Sequence, residues 1–170
     1  MKRLIVMRHA TTAPTAPGGD AERPLTAAGH VEAEQVGGWL AAHGYVPETA
    51  VCSTALRVRE TWAGIEKGLG VSPPASFDRA IYMATSDDLR LAASEIDGRF
   101  DCAMLVGHNP AVSHLAFDLT ERSDPEGRER LRAGFRPATV AVFETLDDSF
   151  ADLSRTGARL VDFVSARDID

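Results

Sequence analysis

The sequence predicts an α/β protein, a three-layer α/β/α fold with a mostly parallel central sheet flanked by helices. Three observations lead there. Short, continuously apolar runs, Leu4 to Met7 and Cys102 to Val106, each end abruptly in polar residues. Such runs read as strands buried on both faces of a sheet. A stripe at helical spacing, Val58, Trp62, Ile65 and Leu69, lies between strand candidates. Strand and helix then alternate along the chain, the order that builds a parallel sheet covered on both faces. At 170 residues the chain suits a single domain, residues 1–170, with a sizeable core.

Taken in order, the first strand runs through Leu4-Ile5-Val6-Met7 and ends on Arg8 and His9. Its all-apolar character suits a central position. Residues 13–24 form a Pro-, Gly- and Ala-rich loop, longer than most βα connections and therefore a candidate functional or mobile segment. A helix starts at the N-cap Thr26, turns Val36, Trp39 and Leu40 inward and stops at Gly44. His30 and His43 fall on it as solvated residues. The second strand covers Thr49 to Ser53, and the Val58 stripe marks the next helix, ended by Gly68 and Gly70.

A third strand is expected from Ala75 to Tyr82. A helix opens at Thr85-Ser86-Asp87-Asp88, with Leu89, Ala92, Ala93 and Ile96 inward and Gly98 closing it. The fourth strand, Cys102 to Val106, leads into Gly107-His108-Asn109-Pro110. Here Asn109 is read as an N-cap and Pro110 as the first helical residue. Val112, Leu115, Ala116 and Leu119 form the inner face of that helix, with His114 off the stripe. Residues 120–134 read as a charged loop with a helical turn. Two last strands, Ala138 to Glu144 and Ala158 to Val164, are joined by an acidic linker.

Composition narrows the function. Hydrophobic content of 44% and charged content of 25% are ordinary for a globular protein. A net charge of −7 argues against a general nucleic-acid or anionic-membrane surface. Cys52 and Cys102 are the only cysteines, too few for a disulfide framework or zinc site, and both read as buried thiols. The N-terminal apolar run is too short for a signal peptide, and no stretch is long enough to span a membrane. The cytoplasm is the expected compartment.

The chemistry gathers at strand ends. In a parallel sheet the carboxyl ends face one way, which is where ligands bind. Three junctions bring Arg8 and His9, Ser53 and Arg57, and His108 to that edge, with no carboxylate among them. Arginine offers a rigid fork matched to phosphoryl oxygens. A helix N-terminus adds free amides and partial positive charge. Histidine serves as nucleophile when neutral. A pocket for a compact anion follows, with phosphate favoured. No phosphate loop of the Gly-x-x-x-x-Gly-Lys type, dinucleotide Gly-x-Gly-x-x-Gly or Cys-x5-Arg nucleophile loop is present, and no dense Asp/Glu/His cluster suggests a metal or other cofactor.

These residues resemble the histidine phosphatase superfamily, of phosphoglycerate mutase-like fold. Arg8-His9-Ala10 is similar to its Arg-His-Gly signature. Leu25-Thr26-Ala27-Ala28-Gly29 is similar to its Leu-Thr-x-x-Gly helix start, Ser53 to Thr61 to its Ser-x-x-x-Arg-x-x-x-Thr segment, and Val106 to Pro110 to its Gly-His segment. The Arg-His-Ala variant, Arg23-Pro24-Leu25-Thr26, Ile81-Tyr82-Met83-Ala84 and Phe135 to Glu144 resemble the SixA-like phosphohistidine phosphatases. The resemblance implies that His9 attacks phosphorus while Arg8, Arg57 and His108 hold the phosphoryl oxygens. It also offers Arg23 at the pocket mouth and Thr12 as substrate-binding residues, and places Arg59 outside the site. The implied substrate is a phosphorylated protein, such as a histidine phosphotransfer domain, or a small phosphomonoester.

Many superfamily members carry a general acid after the third strand. Asp78, Asp87 and Asp88 are candidates, but helix starts explain acidic residues there. Without an acid, phosphohistidine is favoured over a sugar phosphate, because imidazole leaves more easily than an alkoxide. Two other readings stay open: a small-molecule phosphomonoesterase, with an acid near the pocket, and a phosphate-binding module without turnover. The segment from Asp147 to Asp170 carries no readable chemistry.

Overall fold

A computed structural model describes residues 1–170, the side chain of Ser154 excepted. Six strands form one sheet: β1 (Arg3–Arg8), β2 (Thr49–Ser53), β3 (Ala75–Asp78), β4 (Cys102–Gly107), β5 (Thr139–Thr145) and β6 (Ala158–Ser165), in the order β3-β2-β4-β1-β5-β6. Pairings among β3, β2, β4 and β1 are parallel. β5 and β6 add antiparallel along the other side of β1. The sheet is therefore mixed, with its parallel part intact and β1 in its interior, flanked by helices as expected.

The apolar runs are explained by two cores. Ile5 and Met7 of β1 face a cluster containing Val36 and Leu40 of α1 (Ala27–Ala42) and Val58, Trp62 and Ile65 of α2 (Leu56–Leu69). Leu4 and Val6 face a second cluster, with Leu89 of α4 (Ser86–Ser94) and Val112, Leu115 and Leu119 of α5 (Ala111–Thr120). Each face of β1 is thus covered, so no polar residue interrupts it.

Local signals account for most boundaries. The Thr26 hydroxyl accepts from Gly29 N–H and starts α1. Thr85 and Asp88 form a reciprocal capping box at α4. Gly70, in the left-handed region with φ 73°, ends α2.

Four expectations are corrected and one, the helical turn in residues 120–134, is extended. The third strand stops at Asp78, whose carboxylate accepts from Ala80 N–H and starts the one-turn helix α3 (Arg79–Tyr82). Gly68 does not end α2 but lies within it, where a Cβ would come within 2.1 Å of Glu34 O on α1. Its lack of a side chain lets the two helix backbones touch. Residues 120–134 hold a real helix, α6 (Pro125–Arg130), capped by Asp124 and followed by a 3-10 turn. Asn109 caps nothing: Pro110 precedes α5, the Asn109–Pro110 peptide is cis, and the Asn109 amide donates to Phe135 O. Cys52 is buried as expected, but Cys102, at the start of β4, is only half-buried. The acidic linker carries a further turn, α7 (Leu153–Thr156).

Candidate active site

Strand register assembles the site. Arg8 lies level with Gly107 and Cys52 with Val106. His9 and His108 therefore leave the sheet side by side, and Ser53, the last residue of β2, stands one step behind them. His9 N–H donates to Gly107 O at 3.1 Å, and the His9 and His108 ring centroids are 5.4 Å apart. Thr61 ties the second junction to the first. Its hydroxyl donates to Arg57 O at 2.6 Å and accepts from Ala10 N–H at 3.1 Å. That double contact explains why a threonine follows Arg57 by one turn. Gly29 does comparable work at the start of α1, where a Cβ would fall 2.0 Å from Thr11 O.

The two histidines are prepared differently. His9 is 5% exposed, and its Nδ1 lies 2.8 Å from Ala10 O. A carbonyl only accepts, so Nδ1 carries the proton and Nε2 keeps its lone pair. Burial, with Arg57, Arg8 and Arg23 adding positive charge and the Ala10 bond opposing, lowers the His9 pKa from 6.5 to about 4. The ring is neutral at pH 7. Nε2 of His108 meets Ser53 Oγ at 2.8 Å. Burial and then the Arg57 charge lower His108 to about 3.

Both arginines are pinned at one end only. Arg8 Nη1 donates to Phe135 O at 3.0 Å, the carbonyl that Asn109 also uses. Arg57, 5% exposed, donates from Nη1 to Asp20 O at 2.8 Å and from Nη2 to Asp20 Oδ2 at 3.1 Å. Buried polar atoms almost always find partners. Five among the described residues have none, and four belong here: Arg8 Nε, Arg57 Nε, His108 Nδ1 and Asn109 Oδ1. Arg8 Nε–H, Arg57 Nε–H and, when Ser53 donates to Nε2, His108 Nδ1–H are unpartnered donors beside a histidine lone pair, a set that suits the oxygens of a phosphoryl group.

The structure thus brings Arg8, His9, Arg57 and His108 together, with Ser53 behind His108. Arg23 stands at the rim. Its Nε donates to Asp20 Oδ1 at 2.9 Å and its Nη1 to Ala13 O at 3.0 Å, and its charge reaches both histidines. Thr12 is engaged elsewhere: its hydroxyl donates to Pro24 O at 2.8 Å, closing the base of the 13–24 loop beside the Thr12–Leu25 bridge. Its proton is committed to that loop. Arg59 donates to Thr54 O and lies over Phe77, outside the site.

The expectation of no carboxylate is corrected. Asp20, from a 3-10 turn (Asp20–Glu22) in the loop, sits on Arg57, Arg23 and the Tyr82 hydroxyl. Sequence reading missed both Asp20 and Tyr82 as site residues. The available signal was the spacing of Asp20 and Arg23, one helical turn apart in the segment before Leu25. Asp78, Asp87 and Asp88 serve as a cap, an Arg90 partner and a capping-box residue respectively. Among the described residues no group of three or more His, Cys, Asp or Glu could hold a metal ion, and no helix is long and apolar enough to cross a membrane.

Comparison with known proteins identifies the family. The family model for the histidine phosphatase superfamily (branch 1) matches residues 4–81. An uncharacterized protein of Mycobacterium tuberculosis is 32% identical over 159 residues, covering 92% of this chain and 98% of that one. Solved structures from Nakamurella multipartitia and Agrobacterium tumefaciens that carry the SixA name are similar at 29% and 28% identity, with TM-scores of 0.82 and 0.79. They cover 96% of this chain, and 95% and 97% of those chains. The protein histidine phosphatase SixA in complex with tungstate shares the fold at 21% identity and a TM-score of 0.76, over 99% of both chains. The chain belongs to the histidine phosphatase superfamily, is SixA-like within it, and is a phosphatase of the histidine-nucleophile kind.

Proposed function

We propose that this chain removes the phosphoryl group from phosphohistidine on a protein, acting in the cytoplasm as one domain with His9 as nucleophile. The observation that carries this is the Nδ1 contact of His9 with Ala10 O, which leaves a neutral, unshared Nε2 beside Arg8, Arg57 and His108. The Nε2 lone pair forms a bond to phosphorus as the phosphorus–nitrogen bond of the substrate breaks, and the leaving imidazole takes its proton from water. Arg8, Arg57 and His108 donate to the equatorial oxygens, where the charge spreads. Water then attacks the phosphorylated His9, releasing orthophosphate and restoring the ring.

The leaving group follows from acidity. Asp20, the carboxylate at the site, is lowered to about 2, first by the Tyr82 hydroxyl bond and then by the Arg57 charge. It is an anion at neutral pH and has no proton for an alkoxide. Imidazole needs less help, which supports a phosphohistidine substrate over a sugar phosphate. The similar structures at 29% and 28% identity, which carry the phosphohistidine phosphatase SixA name, support the same substrate class.

The test is phosphate release from a phosphorylated histidine phosphotransfer domain, beside a panel of small phosphomonoesters, for wild type and His9→Ala. Release from the protein, lost in the variant, is the expected result. Unchanged release in His9→Ala overturns the nucleophile. Faster turnover of a small ester moves the substrate to metabolism.

A further inference from the structure

We propose that Asp20 is a positioning residue: it grips the outer edge of Arg57 and leaves the Nε–H edge of the same guanidinium for the phosphoryl group. The proposal rests on the phosphatase reading above. Asp20 meets Arg57 twice, through its backbone carbonyl and its carboxylate, across 37 residues of chain. The same carboxylate accepts from Arg23 Nε at 2.9 Å and from the Tyr82 hydroxyl at 2.5 Å. One loop residue thus joins α2, α3 and the rim arginine.

Hydrogen-bond accounting separates positioning from competition. A carboxylate imitating substrate would take the donors that substrate needs. Asp20 takes one hydrogen each from Nη1 and Nη2, while Arg57 Nε stays buried without a partner, as do Arg8 Nε and His108 Nδ1. A guanidinium has five N–H groups in a rigid fork, so an anchored outer edge fixes the direction of the inner one. Charge agrees with the assignment. Arg8, Arg57 and Arg23 with one Asp20 carboxylate and two neutral imidazoles leave a surplus of two positive charges, matched to a phosphoryl dianion.

The loop is built to hold Asp20 there. Thr12 Oγ1 closes its base on Pro24 O, Ala13 N–H donates to the same carbonyl, and Arg23 crosses the loop to Ala13 O. A segment that reads from sequence as a long functional or mobile loop is therefore anchored at both ends and at its tip.

The experiment compares wild type, Asp20→Ala and Tyr82→Phe by kcat and KM on a phosphorylated histidine phosphotransfer domain, by tungstate affinity and by melting temperature. Asp20→Ala is expected to lower kcat by about ten- to a hundredfold, the usual cost of a misplaced catalytic group. Tungstate is expected to bind at least as tightly, because a neighbouring negative charge is gone, with melting little changed. Tyr82→Phe moves kcat the same way by less. Unchanged or raised kcat in Asp20→Ala overturns the assignment and makes Asp20 a competitor for Arg57. Parallel loss of kcat, tungstate binding and melting temperature overturns it in favour of a purely structural loop. A wild type inert on every phosphorylated substrate overturns the phosphatase reading itself, and the assignment with it.

Discussion

Ser53 Oγ lies 2.8 Å from His108 Nε2 and accepts from Ala55 N–H at 3.1 Å. With one lone pair taken by Ala55, the hydroxyl proton satisfies both groups when it is donated to Nε2. Nδ1 of His108 then carries the ring proton and faces no protein acceptor. Ser53, fully buried, favours the tautomer that the proposed reaction needs, with His108 Nδ1 free to donate to phosphate. Ser53→Ala is expected to cost about tenfold in kcat, the size of one lost hydrogen bond. Nitrogen-15 shifts of the His108 ring check the cause, and a wild-type ring protonated at Nε2 refutes it.

Both active-site histidines set the acid behaviour. Their pKa values fall from 6.5 to about 4 for His9 and about 3 for His108, so folding opposes protonation. Their stability contribution is complete above pH 6.5, the unfolded value, and is lost as pH falls toward the folded values. Activity is expected to hold from pH 7 to about 5 and to drop near pH 4, as His9 Nε2 takes a proton. Initial rates corrected for spontaneous hydrolysis test this. An acid limb centred near 6.5 places the nucleophile elsewhere.

Thr61→Val keeps shape and removes the hydroxyl between Ala10 N–H and Arg57 O. The orphaned Ala10 donor is buried, so the loss is expected to reach about 1–3 kcal/mol. Denaturant unfolding measures it, and a change near zero shows that the two junctions do not depend on that link.

Arg57→Lys preserves charge but replaces the fork by a point charge. Lysine cannot hold Asp20 and a phosphoryl oxygen with a fixed geometry between them. The expected loss is about a hundredfold or more in kcat, the range for removing one preorganised donor to a developing charge. Recovery of near wild-type rate means that charge alone suffices at this position.

The gathering of Arg8, His9, Arg57 and His108 was legible in the sequence because Arg8, His9 and His108 stand at strand ends and Arg57 stands in the first turn of the helix after β2. Apolar runs locate β1, β2 and β4, and parallel pairing makes their carboxyl ends coincide. Helix caps at Thr26 and Thr85 were equally local, each a side chain bonding to a backbone three residues on. The errors were also local. At Asp78 a capping carboxylate ended a strand that apolar content alone would extend to Tyr82, and at Asn109 a good cap residue was drawn off by Phe135 O.

Asp20 lay outside such reading. Its partners are 37 and 62 residues away, and a solvated aspartate in a loop looks the same in sequence whether or not it meets them. The sequence by itself determined which residues stand at the sheet edge, since backbone periodicity and strand pairing decide that. Only the tertiary structure decided how they are set to work: which ring nitrogen keeps its lone pair, how far burial lowers each imidazole, and which edge of Arg57 stays open. Hydrogen-bond partners and desolvation are properties of assembled space, and no spacing along the chain encodes them.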